Sequence, residues 1–178
     1  RGEVATDAAR AVMKISACVA IAAALMLAAT TGPAAAQDAI PTGGDARVQA
    51  ALKAAGLTYT LDDGDFRLDY DVGESRSQRV WVASEPARVD QLGIREVWSV
   101  AGRGEGGVPA ELARMVLKEN VRMILGAWQV NQSEDEYLVV YSAQVDAAAD
   151  AATLQKVVEV VMFSADRIEK QLSDTDAF

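Results

Sequence analysis

From residue 45 the chain changes its hydrophobic rhythm several times. Val48, Ala51, Leu52 and Ala55 recur at helical spacing, with Asp45 placed to cap the helix and Gly56 to stop it. Period two follows. Leu57, Tyr59 and Leu61 alternate with Thr58 and Thr60, and Phe66, Leu68, Tyr70 and Val72 alternate with Arg67, Asp69 and Asp71. Asp63-Gly64 lies between these runs. A type I′ turn needs positive φ at both central positions, so the pair predicts a β-hairpin.

Further strands are expected over 78–84, with Val80 and Val82 inward, and over 94–101, with Val97 and Trp98 on opposite faces. Residues 102–107 read as a glycine-rich loop. Pro109 fits a first helical turn, and a helix is expected to run to about Leu125 with Leu112, Met115, Val116 and Met123 on its apolar face. Gly126 stops it. Strands over 127–130 and 136–145 come next. A last helix, capped by Asp150, repeats Leu154, Val157, Val158, Val161, Ala165, Ile168 and Leu172 over about five turns. The order αββββαββα predicts a single α+β domain, with helices packed against one antiparallel sheet.

The segment before residue 45 reads differently. Met13-Lys14 begins a short positive region, residues 15–29 are apolar and uncharged, and Thr30-Thr31-Gly32-Pro33 breaks any helix. Ala34-Ala35-Ala36 offers the small residues that a signal peptidase reads. The run is short of the roughly 20 residues that span a bilayer. We therefore expect a signal peptide over 13–36, cleaved after Ala36, and a periplasmic or secreted protein; retention as an anchor is the alternative. Residues 1–12 read as an upstream segment, 37–44 as a linker, 45–173 as the domain and 174–178 as a tail.

Composition narrows the chemistry. The 178 residues include no His and one Cys, Cys18, which lies in the leader. A His-dependent triad, a Cys-His pair and a CxxC zinc site are excluded. The formal net charge of -9 argues against nucleic acid, whose phosphates need clustered Lys and Arg. No catalytic, cofactor or metal residues are assigned.

Each local motif has a plainer explanation. Residues 102–107 match GxGxxG between a strand and a helix, but Arg95 and Glu96 put charge in the preceding strand, and the rest is built of hairpins. Asp62-Asp63-Gly64-Asp65 and Glu134-Asp135-Glu136 lack the ligand spacing of a calcium loop and read as solvated turns. Asp69 and Asp71, about 7 Å apart on one strand face, are the remaining carboxylate pair. Ser75 and Ser77, with Arg76 and Arg79, read as a flexible turn.

The candidate partner-binding residues are of two kinds. Arg114, Lys118 and Arg122 form a basic stripe on the middle helix and suit an acidic partner segment. Val160, Met162 and Phe163 widen the apolar face of the last helix, and Trp81 or Trp98 falls outward by alternation, so Val160, Phe163, Trp81 and Trp98 are candidates for an interface.

Over about residues 45–172 the chain resembles the YbjN domain, whose fold is similar to that of the type III secretion chaperones. The carrying residues are Leu52-x4-Leu57-x-Tyr59, the hairpin Asp63-Gly64-Asp65-Phe66-Arg67-Leu68, Val80-Trp81-Val82, Asn120 followed by Gly126, and a final helix with Asp166 and Leu172. The resemblance implies an α+β fold, often dimeric, with no established enzyme activity and suspected roles in binding other proteins. Those chaperones work in the cytoplasm, whereas this chain carries an export signal. The expected function is an exported, non-enzymatic, chaperone-like interaction module with a protein partner, a possible homodimer, free of membrane after signal cleavage. A small periplasmic ligand-binding protein or carboxylate-dependent hydrolase is the alternative.

Overall fold

The computed structural model describes residues 43–173, 176 and 178; the expected leader, linker start and cleavage site lie outside the described residues. Ten elements follow in order: α1 (Ala46–Ala54), β1 (Thr60–Asp62), β2 (Asp65–Gly73), β3 (Arg76–Val82), β4 (Ala87–Val89), β5 (Leu92–Glu105), α2 (Ala110–Asn120), β6 (Ala127–Gln132), β7 (Glu136–Asp146) and α3 (Ala151–Leu172). The strands form one antiparallel sheet in the order β1-β2-β3-β5-β7-β6, with β4 paired to β5. The fold class is α+β, as the element pattern predicted.

Local chemistry explains most boundaries. Asp45 and Asp150 accept hydrogen bonds from the N–H groups of Arg47 and Thr153, so both helix starts are capped as expected. Asp63 and Gly64 both adopt positive φ, 50° and 93°, and Asp62 pairs with Asp65 across the hairpin. Phe66 is wholly buried and meets Tyr59 edge to face at 5.0 Å.

Three boundaries differ from expectation. β4 is too short, and its residues too exposed, to show period two. The middle helix stops at Asn120, after which Val121, Arg122 and Met123 donate to carbonyls three residues back. The third difference removes the expected glycine-rich loop: β5 continues to Glu105 and pairs with β7 through Gly104↔Tyr137. An irregularity between Val100 and Gly102 leaves Ala101 as a bulge and resets the faces. Gly102 then faces α3, where a Cβ would come within 2.8 Å of Leu172 Cδ1, and Gly104 lies under the Tyr137 ring. These glycines serve close packing, and the GxGxxG match is not a phosphate loop.

Residues opposite one another in the ladders share a face. Phe66, Leu68, Val80, Val82, Val97, Val139, Tyr141, Ala143 and Trp128 form the core with Leu154, Val157, Val158, Val161, Ala165 and Ile168 of α3. Trp81, Trp98, Val100, Leu138 and Val140 take the face turned away from that core and are also buried.

Phe66→Ala should lower stability by about 3–5 kcal/mol in urea unfolding. Gly56 and Gly126 both have positive φ, 69° and 76°, but an added Cβ meets open space at Gly56 and the Ser142 carbonyl at Gly126. Gly56→Ala should cost about 1–2 kcal/mol, and Gly126→Ala clearly more in the same assay.

Candidate functional site

The surface most unlike a soluble protein's lies on α2 and the turn that follows it. Val116 faces the core, with Leu112, Met115 and Met123 half-buried around it. At 100° per residue, Leu117 falls a quarter-turn from Val116 and misses that face. Leu117 is 65% exposed, Val121 88% and Ile124 103%, and on α3 Phe163 is 61% and Val160 37% exposed. Large apolar side chains grouped in this way mark an interaction surface more often than chance exposure.

Specific bonds hold this region together. Asn120 accepts from the Trp128 N–H at 2.6 Å and donates to the Trp128 carbonyl at 3.2 Å. Its amide stands in for a neighbouring strand and closes that part of the β6 edge. The Tyr141 hydroxyl donates to the Leu125 carbonyl, which fixes the turn over β7. Glu119 pairs with Arg167 of α3 at 2.7 Å and more loosely with Arg122 at 3.8 Å.

The basic residues Arg114, Lys118 and Arg122 are all exposed there. Arg114 pairs with Glu111 one turn away, as expected for a solvated helix face. Lys118 has no ion pair among the described residues. Of the three, Arg122 alone is tied toward α3, through the Glu119 that also pairs with Arg167. Met162, which widens the apolar face of α3, is buried in the core.

Trp81 and Trp98 take a different place. They stack at 4.3 Å with ring planes 6° apart, and they are only 4% and 2% exposed. The Trp81 indole donates to Asp62 at 3.0 Å, and the Arg79 guanidinium lies 5.9 Å from its ring centre. The expected outward tryptophan is thus a buried stack on the second sheet face, apart from the α2–α3 surface.

The other motifs resolve into structure. Asp69 accepts from Arg67 at 3.2 Å and Arg79 at 2.9 Å. Asp65 accepts from the Ser84 N–H at 2.9 Å. The turn before β3 has positive φ at Glu74 and Ser75, and Ser77 donates to Asp176. Arg76, expected in a flexible turn, instead bridges Asp166 at 3.1 Å and Glu169 at 3.0 Å, clamping α3 to β3. Two shallow cavities, about 180 and 200 Å³, lie beside Arg95 and beside Leu172; both are below the ~300 Å³ at which small-molecule sites begin. Among the described residues, no three Asp, Glu, Cys or His side chains gather as metal ligands.

From sequence Arg95 counts only as a charge within the strand that precedes the glycine-rich segment. It is buried, with its guanidinium bonded to the Ala83 and Ser84 carbonyls and to Asp45 at 2.8 Å. The Arg47 and Arg95 guanidiniums hold the Asp45 carboxyl well below the usual carboxylate range.

Compared with known proteins, the chain matches no family model and no curated protein.

Removing one partner of a buried pair leaves the other charge uncompensated. Asp45→Ala should therefore cost about 3–5 kcal/mol in denaturant unfolding, while Asp69→Ala should cost under about 1 kcal/mol. Because the folded pKa of Asp45 is lowered, its contribution is complete above the unfolded value of about 4 and fades as pH falls below it. The stability gap between parent and Asp45→Ala should narrow between pH 5 and pH 2.

Proposed function

We propose that the chain is an exported, non-enzymatic, chaperone-like module that binds apolar segments of other polypeptides through the α2–α3 surface. The supporting observation is the exposure of Leu117, Val121 and Ile124 in succession along α2 and the turn after it, with Phe163 exposed on α3. A folded domain gains nothing in stability from these side chains in water. Their burial against a partner would contribute about 25 cal/mol per Å² of apolar surface. The resemblance to the YbjN domain and the secretion-chaperone fold agrees with this reading.

The occupant is an unfolded client segment. Asn120 caps the β6 edge at Trp128, so strand addition is blocked there and side-chain contact is the open route. The signal-peptide reading of 13–36 places the encounter outside the cytoplasm.

The test is suppression of client aggregation. A heat-unfolding client protein is followed by light scattering with and without the full chain at equal molarity. The parent should reduce scattering severalfold. Leu117→Asp combined with Ile124→Asp should abolish the effect without lowering the chain's own Tm, because both residues are exposed. Equal suppression by parent and double variant would remove the surface from the account.

A further inference from the structure

β3 and β5 separate after two paired residues. Their ladder runs through Val82↔Val97 and Trp81↔Trp98 and then stops, although β3 extends back to Arg76 and β5 on to Glu105. Side chains bridge the first part of the opening. Gln78 donates to Ser99 Oγ at 2.8 Å and to the Val100 carbonyl at 2.9 Å, and Ser99 Oγ donates to the Arg79 carbonyl. Further along, no described strand pairs with this edge of β5. Strand edges left in this way can take up another segment. Gln78 is wholly buried there, yet its Oε1 has no hydrogen-bond partner among the described residues.

Two residues beyond α3 stand at this opening. The Asp176 carboxylate accepts from the Ser77 N–H at 3.1 Å and from Ser77 Oγ at 2.8 Å, and the Phe178 carbonyl lies 3.4 Å from the same Oγ. A continued β3–β5 ladder would set Ser77 opposite Gly102. Phe178 instead is 8% exposed and lines the cavity of about 200 Å³ together with Gly102, Leu112, Tyr137 and Leu172. The hold is light. Both Asp176 bonds are solvent-exposed, where exchange with water offsets most of their strength, and Phe178 stands outside the contiguous core cluster. A competing segment with the same groups can replace such contacts.

We propose that the opening between β3 and β5 is a peptide-binding site, occupied by the chain's own Asp176 and Phe178 and taken over by a partner segment that carries a carboxylate and, two residues later, an aromatic side chain. Ser77 reads the carboxylate, and the cavity beside Gly102, Leu112, Tyr137 and Leu172 reads the ring. The chain's own residues compete at the high effective concentration of a short tether and so set a threshold for the partner. None of Leu117, Val121 and Ile124 lines this cavity, and the site goes beyond the function proposed above.

A fluorescein-labelled peptide of residues 173–178 tests this by anisotropy on the full chain. It should bind the Asp176→Ala/Phe178→Ala variant, and bind the parent at least about tenfold more weakly because the parent carries its own competitor. A twin peptide with Asn in place of Asp176 and Ala in place of Phe178 should bind neither. The Ser77 amide resonance of the variant should return toward its parental position when the peptide binds. Asp176→Asn alone keeps the Phe178 ring; it should bind with intermediate affinity, and it replaces the double variant if that one loses cooperative unfolding. Equal binding to parent and variant, binding of the twin peptide, or no binding to either variant would overturn the proposal. A parent that is dimeric by light scattering and a double variant that is monomeric would overturn it in favour of exchange of this segment between copies.

Discussion

The fold depends on how closely α3 approaches β5. The β5–β7 ladder is the longest in the sheet, and Ala101 is an extra residue within it. Without that bulge the alternation would carry straight on and Gly102 would face away from the helix. With it, Gly102 lies under Leu172 and Gly104 under Tyr137, where an added Cβ would push those side chains aside. The end of α3 can then sit low on the sheet. Arg76 draws Asp166 and Glu169 down to β3, and the exposed Lys170 adds a second pair to Asp166, so a largely buried charge cluster fixes one helix end. Such a cluster contributes specificity of position more than net stability.

That central seat determines what is left for α2. α3 occupies the middle strands, and α2 packs beside β6 with Val116 inward. One helix of 11 residues at the margin of a sheet can bury only one face. Its other apolar residues, and those of the turn after it, stay outside. The Asn120–Trp128 pair and the Tyr141–Leu125 bond hold that turn in place, so the exposed residues are presented on an ordered frame. Fixed presentation lowers the ordering cost that binding would otherwise carry.

Much of the architecture was legible because it follows from local rules. Asp63-Gly64 gave its hairpin, Asp45 and Asp150 capped their helices, and the α3 stripe named its own core. The misses share a cause: the deciding partner was distant in sequence. The glycines at 102 and 104 looked like a loop until Leu172 and Tyr137 lay over them. Arg76 reads as part of a flexible turn and Arg95 as a bare strand charge until Glu169 and Asp45 are placed beside them. The basic stripe and Phe163 were visible as candidates, but Leu117, Val121 and Ile124 were not singled out. Their signal was present, since they fall off the helical stripe defined by Leu112, Met115, Val116 and Met123. The tryptophans illustrate the converse. Alternation correctly turned Trp98 away from Val97, yet direction alone did not determine exposure.

The most direct test of the central claim is hydrogen–deuterium exchange on the full chain, with and without a saturating unfolded client. The account predicts new protection confined to about residues 110–126 and the outward turns of α3 around Val160 and Phe163, with β3, β5 and β7 unchanged. Protection centred on the strands that carry Trp81 and Trp98, with α2 unaffected, would contradict it.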